Sequence, residues 1–196
     1  MVRRTNKEPW ETHPDDLPPA CVIRGFPLIQ FDRRPIDRDL LVGLALKWST
    51  DITVIHVLEN SQFQLNGYAV FRNSEVRRWR PIPRDEFYAR AAVLNRVLPE
   101  LPTGVKITSM KEAVSTAGKA FPLITIHRER IQRGVCEIGT FLRTTQRSVV
   151  LRPISPEAEW EEEETYLLRD ITLLEFGGAY EQLLDRMSKP IERTLK

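Results

Sequence analysis

The chain has 196 residues, 41% of them hydrophobic and 29% charged, with a formal net charge of +2. That apolar content is too high for a disordered chain, and no apolar run is long enough to cross a bilayer as a helix. Charge is nearly balanced along the chain, 15 Lys and Arg against 13 Asp and Glu up to position 100 and 14 of each after it, which excludes the strongly basic body of a dedicated DNA-binding domain.

Residues 1–20 begin "MVRRTNKEPWETHPDD"; they have no apolar core, which argues against a secretory signal and predicts a polar N-terminal arm. A first unit follows at 21–99. Pro27–Phe31, Leu40–Trp48, Ile52–Leu58, Tyr68–Arg72 and Val76–Trp79 are short runs rich in apolar and β-branched residues, and they predict five strands. Gly43 falls inside the second, where missing bulk suits a bend or bulge. "RNSE" between the last two is too short for a helix and predicts a turn. Arg84–Leu98 sets Phe87, Ala91, Leu94 and Leu98 on one helical face, and Pro99 stops it.

Residues 100–108 read as a linker. The second unit, 109–196, opens on "SMKE", a capping box that predicts a helix through about Lys119. Strands are predicted at Leu123–Ile126, Cys136–Leu142, Ser148–Leu151, Tyr166–Leu168 and Thr172–Phe176. A short closing helix, Tyr180–Met187, follows the Gly177-Gly178 turn. Cys21 and Cys136 are the two cysteines and sit at unlike places in the two units. They read as reduced thiols of a cytoplasmic protein.

The two strand series are copies. "FPLIQFDRRPIDR" (Phe26 to Arg38) returns as "FPLITIHRERIQR" (Phe121 to Arg133) with seven of thirteen positions identical. "GLALKWSTDITVIHVL" from Gly43 lies over "GTFLRTTQRSVVLRPI" from Gly139, and "GYAVFRNSEVRRW" from Gly67 over "ETYLLRDITLLEF" from Glu164. This is an internal duplication of about 95 residues, a tandem rather than a solenoid. The expected fold is mainly β with flanking helices (α+β): two tandem, strongly bent five-stranded barrels.

"LVGLALKWSTDITVIHVL", with Gly43 and Asp51, and the segments "FRNSEV" and "LRDITL" resemble the two motifs of the Sm-like family, which includes bacterial Hfq and the eukaryotic Sm proteins. The resemblance implies small bent barrels, an opening helix, ring assembly and RNA binding. Matching the second motif residue by residue carries an RNA-binding role to Arg72 with Asn73 and to Arg169 with Asp170. Position 55, where the family commonly has Asn, is Ile, and the second unit has Arg147 in place of Asp51.

"RRWRPIPR" is the most basic stretch. Its Arg77, Arg78, Arg80 and Arg84 could meet phosphates while Trp79 stacks on a base; the plainer reading is a solvated strand face. "EWEEEE" (Glu159 to Glu164) is a solvated acidic loop or a contact for a basic patch. If the two meet between chains, the contact is head to tail and a homo-oligomer results, a dimer or a trimeric pseudo-hexamer. His13, His56 and His127 are scattered, with no pair at metal-ligand spacing, and no cofactor motif is present. His127 with Cys136 is the one conceivable base and nucleophile, a remote enzymatic alternative with no orienting third group in view. The sequence therefore reads as a non-enzymatic binding protein, through RNA or as a protein-interaction module without nucleic acid.

Overall fold

The computed structural model of the chain describes residues 21–189; the expected polar arm at 1–20 lies outside them. The first half contains β1 (Val22–Ile23), β2 (Phe26–Asp32), β3 (Leu40–Trp48), β4 (Ile52–Leu58), β5 (Leu65–Arg72), β6 (Arg78–Pro81) and helix α1 (Phe87–Leu94). The second contains helix α2 (Met110–Ala120), β7 (Ile124–His127), β8 (Cys136–Thr144), β9 (Ser148–Pro153), β10 (Glu164–Leu167), β11 (Leu173–Phe176) and helix α3 (Ala179–Met187). Residues 100–108 carry neither helix nor strand. The ten predicted strands are all present, and β1 is an addition.

All eleven strands belong to one antiparallel sheet, ordered β1-β2-β3-β4-β5-β11-β7-β8-β9-β10, with β6 paired to β2. Each half lays its strands down in the same order: β6-β2-β3-β4-β5, then β11-β7-β8-β9-β10. Ile29 faces Gly43 in the first half as Ile124 faces Gly139 in the second. A bulge interrupts β3–β4 between Ala45 and Lys47 and β8–β9 between Phe141 and Arg143. One turn of 3-10 helix, Asn73–Glu75 or Leu168–Asp170, joins the fourth and fifth strands of each half.

The sheet is open. Neither half pairs its fourth strand with its own fifth, as a closed barrel requires; the free side of β5 takes β11 instead. The expectation of two separately closed barrels is therefore corrected to one continuous sheet whose two halves repeat.

The pairings also correct the register of the third repeated block. Val54 faces Val70 and Val150 faces Thr165, so Arg72 corresponds to Leu167, not Arg169. Phe31 faces Trp79 and Ile126 faces Leu174, so Trp79 corresponds to Leu174, not Phe176. A slip of two residues keeps each side chain on the same face of a strand, which is why matching by residue type did not expose it.

The central strands feed cores on both faces, so they are continuously apolar rather than alternating. Ile52, Val54, Tyr68 and Val70 join Ile124, Ile126, Leu174, Phe176 and the α2 residues Met110, Ala113, Val114 and Ala117 in the largest cluster. Ile55, Ala69 and Phe71 point the other way, with Phe31, Ala45 and Leu173. Ser109 caps α2 by accepting the Glu112 N–H at 3.2 Å. Helix α1 corrects the expected packing. Phe87, Leu94 and Leu98 are exposed, and Ala89 and Ala92 face the core. Ala89 and Ala92 join Leu28, Val42, Leu44 and Leu58 in a buried cluster that Tyr88 flanks, while Phe87, Val93 and Leu94 turn outward.

Charged groups seal the junction of the halves. Arg33, 1% exposed, pairs through both terminal nitrogens with buried Glu129, and the Thr172 hydroxyl donates to Glu129 Oε2 at 2.7 Å. Arg72 donates to the carbonyls of Ile171 and Leu168 at 2.9 and 2.7 Å. Arg130 reaches Glu75 at 2.6 Å.

Candidate functional site

The basic stretch of the first half forms β6 and the loop after it. Strand pairing turns Arg78 and Arg80 toward carboxylates: Arg78 Nε lies 2.6 Å from Asp32 Oδ2, and Arg80 Nη1 lies 2.6 Å from Glu86 Oε1. Arg80 Nε also donates to Gln30 at 2.8 Å. Arg34, and then Arg78, hold the Asp32 carboxyl far below the usual carboxylate range. Trp79 is half-buried against the core containing Phe31 and Phe71, leaving less of the indole to stack on a base. Arg77 and Arg84 are exposed.

The residues carried over from the family motif separate. Asn73 is 3% exposed; its amide donates to the carbonyls of Ser49 and Thr50 at 2.7 and 3.0 Å and accepts from the Thr53 hydroxyl at 2.8 Å. These bonds tie the β3–β4 turn to the β5–β6 turn, a positioning role. Arg72 and Arg169 instead converge, although not as repeat equivalents. Both line a cavity of about 640 Å³ with Lys111, Arg147, Ser109 and Gln146.

Four elements meet at this cavity. The end of β5 brings Arg72, the β8–β9 turn brings Arg147, and the last 3-10 turn brings Arg169. The first turn of α2 adds Lys111, and the partial positive charge of a helix N-terminus points the same way. Among the described residues no carboxylate lines the cavity. Asp170 is the nearest counter-charge shown for Arg169, at 3.6 Å. Arg72 spends two of its nitrogens on backbone carbonyls, whereas Lys111, Arg147 and Arg169 are exposed. The cavity is thus suited to a multiply charged anion.

Sequence reasoning missed Lys111 and did not assign Arg147. The exchange of Asp51 for Arg147 was visible as a charge reversal in a turn, but its meaning depends on which loops the sheet gathers.

His127 and Cys136 face each other across β7 and β8. His127 Nε2 is 2.7 Å from Glu175 Oε2, and burial, then Glu175, push the Cys136 thiol up. Among the described residues no three His, Cys, Asp or Glu side chains are grouped to hold a metal ion, and no helix is long and apolar enough to cross a membrane.

Comparison with family models, with curated proteins and with solved structures returned no match.

Proposed function

We propose that this chain is a cytoplasmic, non-enzymatic binding protein built of two Sm-like units, and that it holds single-stranded RNA by its phosphate backbone. The repeated strand order, the shared bulge and the shared 3-10 turn support the Sm-like reading of each half. The convergence of Arg72, Lys111, Arg147 and Arg169 on one cavity without a lining carboxylate carries the ligand reading. Successive phosphates would meet exposed cations there, while on β6 two of the arginines already have partners. Recognition by charge alone is tolerant of base sequence and sensitive to salt.

Filter binding of a mixed-sequence RNA at several salt concentrations tests this. Each phosphate contact contributes about 0.7 to the slope of log K against log salt for single strands. Combining Lys111→Gln, Arg147→Gln and Arg169→Gln should weaken binding and flatten that slope, whereas Arg77→Gln with Arg84→Gln should change it less. Salt-independent binding, or full binding by the triple variant, overturns the reading.

A protein-interaction role without nucleic acid is the second reading. The observation favouring it is the neutralisation of Arg78 and Arg80 by Asp32 and Glu86.

A further inference from the structure

We propose that the outer face of helix α1 is a docking surface for the chain's own N-terminal segment, residues 8–20, with Leu17 and Trp10 seated beside Phe87 and Leu94. This goes beyond the RNA reading and does not depend on it. Helix α1 packs on the sheet through Ala89 and Ala92 and turns Phe87 and Leu94 outward, two helical turns apart on one face. Phe87 is 68% and Leu94 78% exposed, and Val93 and Leu98 nearby are exposed as well. Large apolar side chains gathered in one exposed patch mark a surface that binds something.

Hydrogen bonds extend the patch onto a neighbouring turn. Asn95, at the C-terminal end of α1, donates to the carbonyls of Gln62 and Phe63 at 3.0 and 3.1 Å, which fastens the turn between β4 and β5 to the helix. Phe63 sits at φ 53°, in the left-handed region that bulky residues avoid. Its ring meets those of Phe87 and Tyr88 edge-on, with centroids 5.1 and 5.7 Å away. An aromatic platform therefore adjoins the apolar helix face, and aromatic surfaces are where proline-rich segments dock.

The point where the described chain begins selects the occupant. Cys21 is buried in the same cluster as Ala89 and Ala92, and its N–H donates to the Ile82 carbonyl at 2.8 Å, five residues before Phe87. The residues before Cys21 therefore set out from beside α1. An extended chain covers about 3.3 Å per residue, so Leu17 lies within about 13 Å of Cys21 and Trp10 within about 36 Å. Helix α1 is only about 12 Å long, and both side chains can reach its outer face. Composition fits the same place. Residues 8–20 read "EPWETHPDDLPPA", with four prolines, Trp10, Leu17 and four carboxylates but no Lys or Arg. Around the patch Arg84, Arg90 and Arg96 are exposed and outnumber Asp85, while Glu86 is paired with Arg80, so the two charges are complementary. Prolines stiffen the free segment and lower the conformational entropy that docking costs. Tethering sets its effective concentration on the order of millimolar, so a weak contact fills the surface.

Fluorine NMR of the full chain carrying fluorotryptophan tests the proposal. The chain has four tryptophans, and Trp10→Phe identifies the resonance of Trp10. In wild type that resonance should be displaced from its position in urea. The displacement should survive tenfold dilution, as a contact within one chain must. Phe87→Glu combined with Leu94→Glu should return the resonance to the urea position. Both side chains are exposed, and the Trp48 and Trp79 resonances report that the fold is kept. Leu17→Asp leaves the helix sequence unchanged and should have the same effect. A Trp10 resonance already at the urea position in wild type overturns the proposal and leaves the surface to another partner. A displacement that either variant leaves in place overturns it too. So does one lost on dilution, which assigns the contact to a second copy.

Discussion

His56 is 8% exposed, stacks on Tyr68 with ring centroids 4.4 Å apart, and among the described residues has no hydrogen-bond partner at Nδ1. Burial lowers its pKa to about 4 from 6.5. Below pH 6.5 the unfolded chain takes up a proton that the folded chain refuses, so this residue's contribution falls as pH drops from 6.5 toward 4 and is flat above. The full window amounts to about 3 kcal/mol. Urea midpoints measured from pH 7 to 4.5 should fall less steeply for His56→Phe than for wild type; parallel profiles would count against the assignment. Arg33 and Glu129 make a second test at this scale. Glu129→Ala takes the two-point partner from a guanidinium that is 1% exposed, leaving it Asp37 at 3.6 Å, and should cost about 3 kcal/mol. Arg33→Met combined with Glu129→Leu should recover much of that loss, read from the same denaturation midpoints.

At the scale of the element, the strands were legible because each is a short, β-branched run between turn residues. Leu40–Trp48 and Ile52–Leu58 have the bounds expected of them. Helix α1 was legible as an element but not in orientation. Periodicity identifies the apolar face, and here the face that packs is the small one, Ala89 and Ala92. Gly43 in the second strand was read as a bend or bulge, and the pairing supplies a stronger reason for it and for its counterpart Gly139. A Cβ on Gly43 would lie 2.5 Å from the His56 carbonyl oxygen, and one on Gly139 would lie 2.6 Å from that of Arg152. Both oxygens belong to backbone in a neighbouring strand and cannot step aside. Gly43→Ala and Gly139→Ala should each destabilise the fold by about 1–3 kcal/mol, and thermal melting of the two variants checks whether the halves respond alike. The cationic cavity was half legible: Arg72 and Arg169 came from a motif match, while Lys111 and Arg147 required knowing which turns the sheet gathers around the start of α2.

Over the whole molecule, the duplicated sequence predicted two bodies and the sheet makes them continuous. The largest core cluster mixes Ile52, Val54 and Val70 from the first half with Ile126, Val149 and Leu174 from the second. A fragment ending before residue 109 would expose the partner edge of β5 and one side of this cluster. Unfolding followed by tryptophan fluorescence and by circular dichroism should therefore show one coincident transition. A fragment of residues 21–108 should not show native-like cooperative melting. Two resolved transitions in the full chain would mean that the halves are independent after all.

The buried pair at the seam has a meaning for descent as well as for stability. Arg33 and Glu129 occupy unlike places in the two copies: the counterpart of Arg33 is Arg128, and the counterpart of Glu129 is Arg34. A protein made of separate identical subunits must write every substitution on all of them at once. With both copies in one chain, each can differ from the other, as positions 34 and 129 do. The lock could then be cut on one side of one seam and its key on the other. The residues that differ between the halves, Glu129 against Arg34, thus supply the buried pair that closes the inner junction.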